Sequence, residues 1–353
     1  MFKKKYGKTV YILIFLIFLI AVLVFLGKVF MPKYRSSLKE GGLTGDYYLE
    51  KVPHDLIFLG DCEVFENFSP AVLWENYGIS SYIRGSPQQL IWQSYWLLEE
   101  VFARETPKLV VYNVQAMKYS EPQKEAYNRM TVDGMPLSLF KLRAAIDSMT
   151  EGESLLSYVF PILRFHERWK ELSFEDLEYV FKNEPISDSG YLMRCDIKPM
   201  DTLPEPPVLT DYGISEKCFS YLKRMKELCE KNGSELVLIK SPSLYPHWYD
   251  EWDKQIEEFA KAENLRYINF LNSFEEIGLD MSRDSYDAGL HLNVYGAEKL
   301  SLYFGKYLAD EFEFREHEDS TVRLWDEKCM AYHARKELQE KEFSELGYIT
   351  GIK

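Results

Sequence analysis

Short apolar runs alternate with longer amphipathic stretches through most of this chain. Asp55–Gly60 (DLIFLG), Lys108–Val114 (KLVVYNV) and Glu235–Lys240 (ELVLIK) are near-continuous apolar segments of strand length, the pattern of strands covered on both faces. Arg266–Phe270 (RYINF) is a later strand and Ser80–Ile83 a shorter one. Helices fall between them. Ser69-Pro70 supplies an N-cap and a proline at the first helical position, and Gly78 stops that helix. Ser86-Pro87-Gln88-Gln89 repeats the signal, with Gln89 placed for a capping box, and predicts a helix running through Leu98 towards Phe102. Ile214–Asn232 before Gly233, Glu251–Ala262 and Ala297–Glu311 are the remaining core helices. The alternation predicts a parallel sheet with helices on both faces, a three-layer α/β/α architecture. Residues 118–210 break the rhythm and read as a mostly helical insertion at the sheet edge. Residues 316–353 become charged, with a peripheral helix over Val322–Glu345.

The start of the chain follows a different pattern. Val10 to Leu26 is apolar throughout apart from Tyr11 and continues past Gly27 and Lys28 into Val29-Phe30-Met31. That is close to the roughly 20 residues that span a bilayer. A cleaved signal peptide is the rival, but Gly27-Lys28-Val29-Phe30-Met31-Pro32 offers no small-x-small site. An uncleaved single-pass anchor is therefore expected over residues 1–35, followed by a polar linker over residues 36–50. Lys3, Lys4, Lys5 and Lys8 precede the span, and Lys28, Lys33, Arg35 and Lys39 follow it. The near balance favours an inside N-terminus only because the alternative carries four lysines across first, and it puts the body outside the cytoplasm.

Charge sharpens this division. The first 40 residues hold eight Lys/Arg and one acid, and the remainder carries a net −21. A body so acidic repels phosphate backbones, which argues against nucleic-acid binding. Five cysteines (Cys62, Cys195, Cys218, Cys229, Cys329) with no CxxC pair argue against a zinc site and a complete disulfide framework.

Two segments carry candidate chemistry. Phe58-Leu59-Gly60-Asp61-Cys62 ends a strand in a tight turn and sets a nucleophile at the carboxyl end of the sheet, where open α/β sheets bind ligands. Tyr286-Asp287-Ala288-Gly289-Leu290-His291 sets a histidine, with an acid shortly before it, on the loop into the last core helix. A nucleophile early and an acid–histidine pair late make a workable triad, because triads are defined by role and not by order. Aromatics are abundant, at 15%. Trp92, Tyr95 and Trp96 share one helix face and read as core. Tyr245, His247, Trp248, Tyr249 and Trp252 follow a strand end and offer either a core or a substrate wall. His166 reads as helix surface or insertion packing.

These blocks resemble the GDSL/SGNH family. Gly60-Asp61-Cys62 stands where that family has its Gly-Asp-Ser. Gly85 matches the second oxyanion donor, Asn113 the third-block asparagine, and Asp287 with His291 the last block. The order agrees across roughly residues 50–312. Cysteine replaces serine, Asp287 precedes His291 by four residues where three are usual, and Asp284 is an alternative acid. Asn113 lacks the usual preceding glycine and following aspartate. The resemblance implies an SGNH-like (flavodoxin-like) domain over residues 51–117 and 211–315. It implies acyl transfer or ester hydrolysis by Cys62, His291 and Asp287, with Gly85 and Asn113 holding the oxyanion and no metal or organic cofactor. The anchor and insertion are similar to membrane-bound relatives that move acetyl or D-alanyl groups. That likeness implies a bacterial cell-envelope polysaccharide or teichoic-acid-like polymer as substrate, and a multispanning membrane acyltransferase as partner. A catalytically inactive glycan- or partner-binding member is the competing expectation.

Overall fold

Five parallel strands occupy the five apolar runs: β1 (Leu56–Gly60), β2 (Ser81–Gly85), β3 (Leu109–Asn113), β4 (Glu235–Lys240) and β5 (Arg266–Asn269). In this computed structural model, which describes residues 2–32, 41–181, 185–200 and 202–350, they form one sheet in the order β2-β1-β3-β4-β5. Every residue of β1, β2 and β3 is buried, which accounts for the apolar sequences of β1 and β3; β2 instead buries Arg84 against Glu100. Gly60 pairs with Gly85, Leu59 with Tyr112 and Asn113 with Ile239, so the carboxyl ends of the central strands lie level. The chain leaves β1 towards β2 and returns across it to β3. That order reverses between β1 and β3, the usual ligand crevice of such sheets.

One core cluster lies under the helices Ile91–Phe102, Glu216–Asn232 and Asp250–Ala262, and the other under Pro70–Tyr77 and Val294–Glu311. The sheet is therefore the middle of three layers. Trp92, Tyr95 and Trp96 are core, as expected, and so are Trp248, Tyr249 and Trp252. The Ile91–Phe102 helix starts four residues later than the Ser86 signal suggests. Gln88 adopts a left-handed conformation (φ 50°), so residues 86–89 form a turn. Leu90 becomes the N-cap, its N–H donating to Gln93 Oε1 at 2.8 Å.

The charged C-terminal segment is a helix, Asp319–Leu346, but not a peripheral one: Trp325, Cys329 and Tyr332 are buried in the second cluster. Of the expected linker, residues 36–40 lie outside the described residues. Residues 42–49 are folded, with Tyr47 buried and the Arg84 guanidinium 4.1 Å above its ring. Residues 118–181 form short helices. Residues 185–200 then turn at Asp188–Tyr191 beside the edge strand β2 and continue past Phe65 to the loop before Val294. Ser189 O accepts from Ile83 N (3.0 Å), Phe65 O from Leu192 N (2.8 Å) and Arg194 O from Val294 N (2.7 Å). Gly190 permits this turn, because a Cβ there would lie 2.0 Å from Ile83 O at a φ of 89°.

One helix, Phe2–Phe30, contains a stretch, Lys8–Phe30, long and apolar enough to cross a membrane, with a mean hydropathy of 3.2.

Candidate active site

β1 ends at Gly60, whose φ of 153° turns the chain sharply into a four-residue helical turn, Cys62–Phe65. Asp61 caps it, accepting from Glu63 N at 3.2 Å. Cys62 is the first residue of the turn, so its N–H has no intrahelical partner. Gly85 lies directly beneath, and a Cβ there would meet Val64 Cγ2 at 2.8 Å and Asp61 O at 3.3 Å. The two glycines let the turn sit down on the sheet.

His291 reaches the same place from the loop before Val294–Glu311. Asp287 holds it twice: Oδ1 accepts from the His291 backbone N–H at 2.8 Å, and Oδ2 lies 2.6 Å from Nδ1. The four-residue spacing makes both bonds possible from one carboxylate. Asp284 is not the partner; it is paired with Lys299 at 2.6 Å. A second acid joins the ring, with Glu66 Oε2 2.8 Å from the same Nδ1. Tyr286 donates its hydroxyl to Glu66 at 2.7 Å and stacks on the imidazole, and the Arg194 guanidinium lies 4.2 Å over the tyrosine ring. Glu66 escaped the sequence reading, although its i, i+4 spacing from Cys62 was the available signal.

With Nδ1 taken, Nε2 is the ring nitrogen left for Cys62. It is buried and without a hydrogen-bond partner among the described residues. The thiol and the ring are nonetheless close enough for each to shift the other's proton affinity. Burial pushes the Cys62 thiol up to about 11; His291 pulls it down, and Asp61 and Glu66 raise it. Burial would lower the His291 pKa, but the Glu66 charge, the Cys62 sulfur and the Asp287 bond carry it well above the ordinary imidazole value.

A second polar group supports the turn from below. Lys240 and Glu63, both buried, pair at 3.0 Å. The Asn113 amide nitrogen donates to Glu63 (3.0 Å) and Asp61 (3.3 Å), and its oxygen accepts from Ser241 N at 3.2 Å. Both amide hydrogens are thereby engaged, so Asn113 ties β1, β3 and β4 together and does not face an oxyanion. Burial and Glu63 push the Asp61 carboxyl up to about 6. Burial lowers the Lys118 ammonium, while Asp61 and Glu63 pull it back. Asn67 completes the frame: it donates to Ser241 Oγ (2.8 Å) and Ser243 Oγ (3.1 Å) and accepts from Leu292 N (2.9 Å), beside His291.

Thus Cys62, Gly85, Asp287 and His291 converge, and Asn113 lies below them in a structural role. His166 is remote and exposed, its Nδ1 3.2 Å from Leu163 O. Tyr245 is exposed beside the His291 loop, its N–H 3.4 Å from Gly289 O. All five cysteines are free thiols. Among the described residues, Glu66, Asp287 and His291 are the group whose donor atoms lie close enough, within 4.8 Å, to hold a metal. The proton on Nδ1, shared with two carboxylates, accounts for that closeness.

No protein-family model matches the chain, and no curated protein matches it. Among solved structures, the chain is similar to a GDSL-like lipase from Bacteroides thetaiotaomicron (12% identity, TM-score 0.36, covering 76% of this chain and 96% of that one). It is also similar to a putative acylhydrolase from Bacteroides fragilis (10% identity, TM-score 0.36, covering 75% and 94%). Superpositions this loose carry no functional argument. The site does: a thiol, an imidazole and a carboxylate at the carboxyl end of a parallel sheet have the constitution of an acyl-transfer centre.

Proposed function

We propose that this chain is an SGNH-type acyltransferase or esterase working through Cys62, His291 and Asp287. One observation carries the reading: Asp287 fixes the His291 ring through Nδ1, leaving a buried, unpartnered Nε2 for Cys62. In the proposed reaction Nε2 takes the thiol proton as sulfur bonds to the acyl carbon. The N–H groups of Cys62 and Gly85 hold the oxyanion, and the leaving oxygen departs with the proton from His291. Water or an acceptor hydroxyl then attacks the thioester, His291 again removes the proton, and the acyl–sulfur bond breaks as that proton returns to the Cys62 sulfur. Glu66, the second carboxylate at Nδ1, stabilises the imidazolium formed in both halves.

The Lys8–Phe30 helix supports a membrane-anchored enzyme, and the lysines before it support a body outside the cytoplasm. The substrate in this proposal is an acylated cell-envelope polymer, a polysaccharide or teichoic-acid-like chain, with a multispanning acyltransferase as donor partner. A second reading, a binding protein with an inert thiol, draws on the burial that pushes Cys62 up to about 11. Intact-mass analysis after incubation with p-nitrophenyl acetate or an acetyl thioester separates the two. An acetyl adduct on Cys62, lost in His291→Ala, is the expected result; an unmodified Cys62 overturns the catalytic reading.

A further inference from the structure

We propose that residues 155–181 form a collar that lies in the lipid headgroup region and holds the body against the bilayer. The proposal rests on the anchor reading above and adds a second, independent membrane contact.

The helix Phe174–Phe181 is amphipathic in the wrong sense for water. Phe174, Leu177 and Phe181, at i, i+3 and i+7, share one face, and that face is exposed: the two phenylalanines are 76% and 74% accessible. Of its acids, Asp176 is buried, paired with Arg168 at 3.3 Å, and Glu178 is half-buried at the margin of the apolar face. Trp169 (65% accessible) and Leu163 extend the apolar surface along the preceding turns. A helix of a water-soluble domain buries its apolar stripe and exposes its acids. This one is arranged for a medium less polar than water.

The position of the collar identifies the medium. Arg168 donates to Phe30 O at 2.6 Å, capping the last turn of the apolar helix, whose terminal carbonyls lack intrahelical partners. At Gly27 the helix comes so close to Pro161 that a Cβ would lie 3.3 Å from Pro161 Cδ. The exposed apolar surface of the span therefore continues directly onto the collar. Trp169, with the Lys170 ammonium 5.4 Å from its ring, is the residue pair expected at a headgroup boundary. Continuity with a lipid-facing helix points to lipid as the occupant rather than another protein.

The test uses the full-length chain, with the photo-crosslinking residue p-benzoylphenylalanine placed singly at Trp169, Phe174 or Phe181. Each variant is reconstituted into phosphatidylglycerol–phosphatidylethanolamine vesicles and also irradiated in native membranes. Ile17, within the span, and the exposed Lys254, on the Asp250–Ala262 helix, serve as controls. Lipid adducts by mass at the three collar positions and at Ile17, but not at Lys254, are expected. Adducts at Ile17 alone overturn the collar and leave the anchor standing. No adduct at Ile17 refutes the anchor reading itself. Protein adducts at the collar in place of lipid, whether a second copy in vesicles or another protein in native membranes, overturn the assignment to lipid.

Discussion

Glu66 Oε2 lies 2.8 Å from His291 Nδ1, sharing with Asp287 a nitrogen that carries a single proton. After burial, which lowers it, the Glu66 charge is the strongest influence on the His291 pKa, and it acts upward. A protonated imidazole cannot serve as base, so activity falls as pH drops through that raised pKa. The acid limb of kcat/KM for ester turnover should therefore lie above the ordinary imidazole value of about 6.5. Glu66→Gln should move the limb down. An unmoved limb in this variant would mean that Asp287 alone sets the basicity of the ring.

Cys62→Ala should abolish acyl-adduct formation, and His291→Ala should lower kcat/KM roughly 10²–10⁴-fold, the range for a lost general base. Cys62→Ser should retain measurable activity, because a base acting at the moment of attack serves a hydroxyl as well as a thiol. Collapse of the serine variant to the alanine level would instead indicate a preformed thiolate.

Asp61→Asn should lower the thiol pKa of Cys62 from about 11, since Asp61 is the strongest upward influence on it after burial. The Asp61 carboxyl itself titrates near about 6, so the difference should appear above that pH. Iodoacetamide alkylation rates followed against pH check this directly. Identical profiles for the two proteins would place the Asp61 charge out of reach of the sulfur.

Glu63→Gln leaves the Lys240 ammonium without its counter-charge in a site where neither side chain is exposed. Breaking one partner of such a pair costs roughly 3–5 kcal/mol. Urea unfolding in detergent micelles should show a loss of that order, and Lys240→Met added to Glu63→Gln should recover much of it. A loss below about 1 kcal/mol, the scale of an exposed pair, would contradict the burial described here.

The sheet was readable because strands buried on both faces must be apolar at nearly every position, as Leu56–Gly60 and Leu109–Asn113 are. The long apolar helix at the start of the chain was readable from its unbroken apolar run. Helix starts were less so: Ser86 and Pro87 carry the residues of a cap, yet a left-handed Gln88 defers the helix to Leu90. In the site, Cys62 and Gly85 stand on short motifs at strand ends, and Asp287 and His291 on a short motif before the last core helix. Asn67 stands on none and Glu66 only on its spacing from Cys62, and both acquire their positions when a loop more than 200 residues away folds back onto them. Asn113 shows the converse. Its place at a strand end was plain, but the direction of its amide depends on Glu63 and Asp61, which no local pattern reveals.

The stretch 185–200 passes beside the Cys62 turn, β2 and the His291 loop, donating to or accepting from the backbone of each. An insertion that merely decorated an edge could be trimmed to give a smaller enzyme. Here trimming would unfasten the Cys62 turn from the His291 loop, so a minimal version of this protein must keep the returning arm even if it discards the helices before it.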